Sequence, residues 1–104
     1  MSNHSRFNER CYQLLKLVPE GRVTTYREIA RALKSNAWRA VGSAMAKNRQ
    51  LIVIPCHRVV RSYGSIGQYA SGVDAKANLL IGEGVDIVDN KVKDLKKHLF
   101  QFGH

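Results

Sequence analysis

The chain has 104 residues, and its 44% hydrophobic content is enough for one small domain with a single core. Seventeen Lys and Arg residues against eight Asp and Glu residues give a net charge of +9, which is typical of proteins that bind a polyanion. No apolar run is long enough to cross a membrane, and the N-terminal residues lack the apolar stretch of a signal peptide. A monomer without a membrane partner is therefore expected, in the cytoplasm at the nucleoid or, in a eukaryote, in the nucleus.

Cysteine and histidine usage argues against a metal site. Cys11 and Cys56 could form one disulfide, but without a secretion signal two free thiols are favoured. The sequence has no Cys-x-x-Cys or His-x-x-x-His spacing, which disfavours a structural zinc site. We expect neither a metal nor a cofactor.

The first predicted element is a helix over residues 4–17. One apolar face is formed by Phe7, Cys11, Leu14, Leu15 and Val18, whose spacing has helical periodicity. The residues 19–21, Pro-Glu-Gly, should end this helix. Cys11 is accordingly predicted to be a core residue without chemistry.

A helix-turn-helix pattern follows. Thr25 and Glu28 match a capping box, which predicts a helix from Thr25 to about residue 33. Ser35 or Asn36 can cap a second helix that runs from 37 to about 47. Two short helices joined by such a turn are a helix-turn-helix. The second helix has an inner face and an outer face, the inner one comprising Ala37, Ala40, Val41, Ala44 and Met45, and the outer one Trp38, Arg39, Gly42, Ser43 and Ala46.

The second half should contain short strands and two helices. Asn48 is predicted to end the preceding helix in the left-handed conformation. The apolar run 51–54 predicts a short buried strand that leads to Pro55 and Cys56, and a strand over 58–61 continues from there. After a glycine-rich loop over 64–72, we expect a helix over 74–81, a strand over 85–88, a turn at Asp89–Asn90 and a helix over 94–100. The fold class is mostly α with a few short strands, a small helix-turn-helix domain of winged-helix type.

The basic residues are concentrated in the middle of the chain. Between Gly21 and Arg61 there are nine Lys and Arg residues and one acid, Glu28. The excess coincides with the helix-turn-helix pattern, which favours nucleic acid as the polyanion. A solvated basic surface is the alternative.

The Cys56–His57–Arg58 sequence is the candidate reactive site. Thiolate is the nucleophilic form of cysteine, and a neighbouring imidazole or cation favours it. An isolated Cys-His pair is more often an inert buried cysteine, so the interpretation depends on the surrounding motifs.

Residues 5–88 resemble the C-terminal, DNA-binding and active-site domain of the O6-alkylguanine-DNA alkyltransferases. The matching motifs are Gly21-x-Val23-x-x-Tyr26, Arg39-Ala40-Val41-Gly42-x-Ala44-Met45, Asn48, Ile54-Pro55-Cys56-His57-Arg58-Val59, Gly67-x-Tyr69 and Glu83-Gly84. Members of that family bind duplex DNA by the minor groove, flip O6-alkylguanine out of the stack and take its alkyl group onto the cysteine. The resemblance therefore implies a single-turnover methyltransferase acting in DNA repair, since the thioether product is stable.

The resemblance also implies roles for particular residues. Cys56 would accept the alkyl group, with Glu83 orienting His57 and His57 drawing the thiol proton through a water. Tyr26 would donate a proton to guanine, and Asn48 would be the hinge after the recognition helix. The implied DNA contacts are Thr25, Tyr26, Ala37, Trp38, Arg39, Gly42, Ser43 and Arg58, with Arg39 filling the gap left by the flipped base. The implied guanine pocket comprises Val59, Tyr69, Ala70 and Ser71.

The sequence departs from the family pattern at several points. The whole chain, 1–104, is expected to be a single domain without the family's usual N-terminal domain. Arg49 stands where a proline usually follows the asparagine, which predicts a looser hinge. Ala70 replaces a serine that can contact guanine O6, and Ser71 stands where glycine is frequent, which predicts a narrower pocket.

Two functions from different classes fit these motifs. The first is the suicide alkyltransferase with Cys56 as acceptor. The second is a non-enzymatic protein of the alkyltransferase-like branch, which binds O6-alkylguanine and recruits other repair proteins. That branch typically replaces the acceptor cysteine, whereas Cys56 is present here. A plain helix-turn-helix regulator would leave the Pro-Cys-His-Arg motif unexplained.

Overall fold

The computed structural model describes residues 3–50, 53–69 and 71–102. In these ranges the chain forms five α-helices, one 3₁₀ turn and four two-residue strands, which confirms the mostly α prediction. In chain order these are α1 (Asn3–Leu15), β1 (Thr24–Thr25), α2 (Tyr26–Ala32), α3 (Trp38–Ala46), the 3₁₀ turn (Cys56–Arg58), β2 (Val59–Val60), α4 (Val73–Gly82), β3 (Ile87–Val88), β4 (Lys91–Val92) and α5 (Leu95–His98).

Helix α1 packs through the predicted apolar face. Cys11, Leu15 and Val18 are buried in the main hydrophobic cluster, and Phe7 and Leu14 pack against it. The prediction that Cys11 is a core residue is confirmed, and burial raises the pKa of its thiol to about 11. The helix ends at Leu15 rather than residue 17, because the next amides bond three residues back, Leu17 to the Leu14 carbonyl and Val18 to that of Leu15.

The capping box forms as predicted. Thr25 is the N-cap of α2, and its Oγ1 accepts a hydrogen bond from the Glu28 amide at 3.0 Å. The predicted cap of α3 is wrong in detail, because the N-cap is Ala37 and it makes no side-chain capping bond. Ser35 Oγ accepts instead from the Ala37 amide at 3.0 Å, so the serine closes the turn that precedes the helix.

The two faces of α3 are close to those predicted. Val41, Ala44 and Met45 are buried against α1 and α2. Ala37 is exposed and Ala40 is half-buried, so the core face is narrower than expected. The outer face, with Trp38, Arg39, Ser43 and Ala46, is exposed.

A short parallel sheet joins the helix-turn-helix to the second half of the chain. Strand β1 pairs with β2 in the register Thr24 to Val59 and Thr25 to Val60. Because α2 begins directly after β1 and the 3₁₀ turn directly precedes β2, this pairing ties both to one short sheet, and Tyr26 and Cys56 line the same cavity.

Two local predictions between α3 and the 3₁₀ turn are wrong. Asn48 is not among the residues with positive φ, and its side chain ends the helix instead. Its Oδ1 accepts from the Gln50 amide at 2.9 Å, and its amide donates to the Ile54 carbonyl at 2.9 Å. In the described part of the predicted buried strand over 51–54, Val53 contradicts the prediction because it lies in a turn and is 69% exposed. Ile54 is buried and occupies a β-bridge position, although its amide donates back to the Gln50 carbonyl. Leu51 and Ile52 lie outside the described residues.

The last part of the chain forms a wing and a closing segment. Strands β3 and β4 are antiparallel, and the predicted Asp89–Asn90 turn has φ values of 51° and 59°, as a type I′ turn requires. Helix α5 is shorter than the predicted 94–100 helix. Beyond it Leu99 lies parallel to Val23, and the Phe100 amide donates to the Val23 carbonyl at 2.7 Å. No helix in the described part of the chain is long and apolar enough to span a membrane.

The Thr25 cap should contribute measurably to stability. Thr25→Ala removes the acceptor of the Glu28 amide and should lower the free energy of unfolding by about 1 kcal/mol, measured by urea denaturation. Thr25→Ser keeps the hydroxyl and should retain most of that contribution. Equal losses in the two variants would show that the cap is not the cause.

Candidate functional site

Cys56 lies in a constrained and largely apolar setting. It begins the 3₁₀ turn after Pro55, and only 5% of its surface is exposed. The Asn48 side-chain amide donates to its Sγ at 3.3 Å. Burial raises the pKa of the Cys56 thiol, while the Asn48 hydrogen bond and the charge of Lys76 act in the opposite direction. The thiol is therefore the resting form, and a base is needed to make it nucleophilic.

A buried ion cluster lies behind Cys56. His57 Nε2 lies 3.0 Å from Glu83 Oε2, and Arg58 donates to both carboxylate oxygens, at 3.0 Å from Nε and 2.6 Å from Nη2. Arg58 Nη1 also donates to the Val18 carbonyl at 2.8 Å. Partial burial alone would raise the pKa of Glu83, but hydrogen bonds and charges from Arg58 and His57 outweigh it and hold the pKa below its ordinary value.

The imidazole of His57 has one nitrogen committed and one available. The ring is fully buried, and Nε2 as the donor to ionised Glu83 leaves Nδ1 as an acceptor. Nδ1 has no hydrogen-bond partner among the described residues. This nitrogen is therefore able to accept a proton.

A cavity of about 790 Å³ opens onto Cys56. One wall is the outer face of α3, and the other is formed by Tyr26 and the loops around Arg61 and Tyr69. The Tyr69 ring packs edge-on against His57, with centroids 6.3 Å apart and planes at 76°. Burial raises the pKa of the Tyr26 hydroxyl, and the nearby Arg61 charge opposes this. The cavity thus combines a thiol, three phenols and a helix face on which Gly42, Ser43 and Ala46 are small.

Comparison with known proteins identifies the family. Residues 6–85 match the family described as the DNA-binding domain of 6-O-methylguanine DNA methyltransferase. The chain belongs to this family. A methylated-DNA–protein-cysteine methyltransferase of Sulfolobus acidocaldarius is 41% identical over 83 residues, which are 80% of this chain and 52% of that protein. The chain spans about half the length of such curated relatives, and less of the bifunctional ones.

Solved structures of similar proteins support the same family assignment. Schizosaccharomyces pombe Atl1, crystallised with damaged DNA containing O6-carboxymethylguanine, superposes with a TM-score of 0.83 at 30% identity, covering 93% of this chain and 96% of that chain. The Mycobacterium tuberculosis protein OGT in complex with DNA superposes with a TM-score of 0.72 at 37% identity, covering 74% of this chain and 48% of that one. The helix-turn-helix fold class is confirmed by these similarities.

The structure of this methyltransferase-family domain gathers most of the predicted site residues in two layers. The first layer lines the cavity and comprises Tyr26, Trp38, Arg39, Gly42, Ser43, Cys56 and Tyr69. The second lies behind Cys56 and comprises Asn48, His57, Arg58 and Glu83. Both layers are held by the 3₁₀ turn, to which Cys56, His57 and Arg58 belong.

The remaining predicted residues lie away from the cavity or play a structural part. Thr25 is buried and its hydroxyl caps α2. The Arg58 guanidinium points to Glu83 and the Val18 carbonyl. Val59 is buried in β2, while Ala37 and Ser71 are exposed and do not line the cavity. Ala70 lies outside the described residues.

Lys76 is the main site residue that the sequence analysis missed. It is fully buried in α4, and its Nζ donates to the carbonyls of Val59 at 2.7 Å and Gln68 at 3.2 Å. Burial lowers its pKa to about 8, and an ionised Cys56 would raise it again. Its place in the sequence could have indicated this burial, because Lys76 lies four residues before Leu80 and therefore on the buried face of α4. Within the described residues, no group of three His, Cys, Asp or Glu could hold a metal ion.

Glu83 should make stability depend on pH in the acid range. Because its pKa is lowered in the folded state, its contribution is complete above its unfolded pKa and disappears as pH falls through the folded pKa. Glu83→Gln should therefore be clearly less stable than the wild type at neutral pH, with the difference shrinking towards pH of about 3. Urea denaturation across this range measures it.

Glu20→Gln is the matched control, because Glu20 is exposed and makes no ion pair within the described residues. Its curve should run parallel to that of the wild type. A wild-type to Glu83→Gln difference that stays constant with pH would contradict the ion-cluster interpretation.

Proposed function

We propose that this protein binds duplex DNA by the minor groove and transfers the alkyl group of O6-alkylguanine to its own Cys56. The observation that carries the proposal is the position of Cys56, which opens onto the cavity while its neighbour His57 is paired with Glu83. The family membership supports it, as do relatives named methylated-DNA–protein-cysteine methyltransferase. Repair would be stoichiometric, because a thioether resists hydrolysis.

The proposed reaction begins with proton removal from Cys56. Burial keeps Cys56 as a thiol, so His57 accepts its proton at Nδ1, through a water, while Nε2 stays bonded to Glu83. Glu83 stabilises the imidazolium that results. The Asn48 amide and the charge of Lys76 stabilise the thiolate before it attacks.

The transfer itself is a displacement at the alkyl carbon. The Sγ–C bond forms as the C–O6 bond breaks, and the electron pair of that bond stays on the guanine oxygen. The leaving guanine takes a proton from the Tyr26 hydroxyl, which lines the same cavity. No external oxidant, reductant or cofactor is required.

Delivery of the base requires that it leaves the helical stack. The exposed face of α3 supports this step, because Gly42 and Ser43 allow close approach of the DNA backbone and Arg39 projects beside them on the cavity wall. In this proposal Arg39 enters the gap left by the flipped nucleotide, which offsets part of the cost of unstacking. Atl1 of S. pombe was crystallised with alkylated DNA and has the same fold.

Intact mass spectrometry tests the transfer. Incubation with a duplex that contains one O6-methylguanine should add the mass of one CH₂ to the protein, with at most one addition per chain. Cys56→Ala should gain nothing. Cys11→Ala is the matched control, because Cys11 is also buried but does not line the cavity, and it should gain the full increment.

Tight and lesion-specific binding with no mass gain in the wild type would refute the transfer. That result would favour the second candidate, a non-enzymatic protein that binds the lesion and recruits other repair proteins. The observation that favours this candidate is the structural similarity to Atl1, with a TM-score of 0.83 against 0.72 for the M. tuberculosis protein OGT. The presence of Cys56 favours transfer.

Arg39 separates base flipping from chemistry. Arg39→Ala should slow alkyl transfer from duplex DNA by roughly tenfold or more, because the unstacking that it offsets costs a few kcal/mol. Transfer from the free base O6-methylguanine should be unchanged. Arg49→Ala is the control, since Arg49 is exposed but does not line the cavity. Equal losses with duplex and free base would contradict the flipping role.

A further inference from the structure

A second, smaller cavity of about 390 Å³ lies beside the turn between α2 and α3. Its lining includes the cations Arg27, Arg31 and Lys34 and the indole of Trp38. Arg27 and Trp38 also line the larger cavity. The two side chains therefore form a ridge between the two cavities. We call the larger one, which contains Cys56, the lesion pocket, and the smaller one, which is strongly basic, the basic cleft.

Trp38 is an unusual residue to leave exposed. It is 47% exposed in the first turn of α3, next to Arg39. The Arg27 guanidinium lies over its ring, 5.7 Å from the centroid, and this cation–π contact holds the indole in place. A fixed aromatic surface next to cations is the arrangement on which proteins stack nucleic-acid bases.

Lys34 brings a cation to this cleft in a strained conformation. Its φ is +56°, and it terminates α2 with its amide bonded to the Arg31 carbonyl and the next amide, Ser35, bonded to the Ala30 carbonyl. Glycine is the residue that usually occupies such a position, because it adopts positive φ without steric cost. The lysine thus adds a charge at a place where the fold alone would favour glycine.

The cations of the cleft are available for an anion. Arg31 lies 3.5 Å from the half-buried Glu28 carboxylate, but its own side chain is 64% exposed, and a long pair with such solvent access is weak. Within the described residues, Arg27 and Lys34 pair with no carboxylate. The cleft therefore has a net positive charge beside an aromatic surface.

We propose that this cleft is a second nucleotide subsite, which takes one nucleotide of the duplex outside the lesion pocket. Its phosphate lies against Arg27, Arg31 and Lys34, and its sugar and the groove-facing edge of its base lie on Trp38. The aromatic surface distinguishes this ligand from a free phosphate, and continuity through the shared ridge places it on the same DNA as the lesion. The inference rests on the proposed DNA-binding function, and it adds a contact that fixes the register of the duplex.

Trp38 is the only tryptophan of the chain, so its fluorescence reports directly on this subsite. Titration of the full chain with a lesion-bearing duplex should quench or shift the emission and protect it from iodide. Inorganic phosphate at the same ionic strength should do neither. An unchanged, fully iodide-accessible indole in the DNA complex would overturn the proposal.

Substitutions at two positions measure how much the subsite contributes to DNA affinity. Trp38→Ala should weaken duplex binding by roughly tenfold, which is about the loss expected for one aromatic contact to a nucleotide, while Trp38→Phe should restore most of the affinity. Lys34→Gly should raise the melting temperature, since it relieves the positive φ, yet lower DNA affinity and reduce the slope of log affinity against log salt by about one. If Lys34 had only a structural role, its replacement by glycine would not raise the melting temperature and lower the DNA affinity at the same time.

Lys97→Ala is the charge-matched control, because Lys97 is exposed on α5 and lines neither cavity. It should leave the salt slope closer to that of the wild type than Lys34→Gly does, and equal slopes in the two variants would overturn the subsite. Mass gain from the free base O6-methylguanine should be unaffected in Lys34→Gly and Lys97→Ala, because neither residue lines the larger cavity. If the wild type shows no mass gain but DNA still protects Trp38 from iodide, alkyl transfer alone is refuted. If the wild type is alkylated but DNA does not protect Trp38, the subsite alone is refuted.

Discussion

The carboxylate of Glu83 joins three parts of the chain that are distant in sequence. It lies at the C-terminal end of α4, accepts hydrogen bonds from Arg58, and is paired with His57 in the 3₁₀ turn. Arg58 continues the connection to the Val18 carbonyl after α1. Burying such charges is favourable only when each is hydrogen-bonded, and here both carboxylate oxygens are satisfied. The turn that carries Cys56 is consequently held from two sides, and the thiol cannot move independently of the histidine.

The second constraint is the parallel pairing of β1 with β2. Two residue pairs are enough, because each strand directly adjoins a functional element: Tyr26 begins α2 after β1, and Val59 begins β2 after the 3₁₀ turn. The helix-turn-helix, which presents the proposed DNA-contacting residues, is thereby coupled to the turn that carries Cys56 by a few backbone hydrogen bonds. A shift of one residue in this register would turn the side chains to the opposite side of the pair. The geometry of the cavity therefore depends on a very short sheet.

The sequence predicted the elements whose signals are local. The periodicity of Cys11, Leu15 and Val18 and the Thr25 capping box depend on neighbouring residues only, and both formed as expected. The errors arose where a side chain makes the hydrogen bonds that had been expected of the backbone. A left-handed residue at Asn48 and a strand after it had been predicted, but the Asn48 side chain bonds to Ile54 and Gln50 and closes a turn. Lys76 was missed because hydrophobic patterning assigns lysine to the surface, while its two carbonyl partners, Val59 and Gln68, come from other parts of the chain.

The electrostatics of Cys56 fit a nucleophile that is used once. Burial keeps the thiol protonated and poorly reactive, since thiolate character governs oxidation and adventitious alkylation. The groups that would stabilise the thiolate are already in place, because the Asn48 amide donates to Sγ and the charge of Lys76 lies nearby. In the proposed reaction, binding of the flipped base supplies the electrophile only after recognition, and the preorganised donors then act without rearrangement. Because the proposed transfer consumes Cys56, this order matters more there than speed, since a thiol lost to another electrophile would not be recovered.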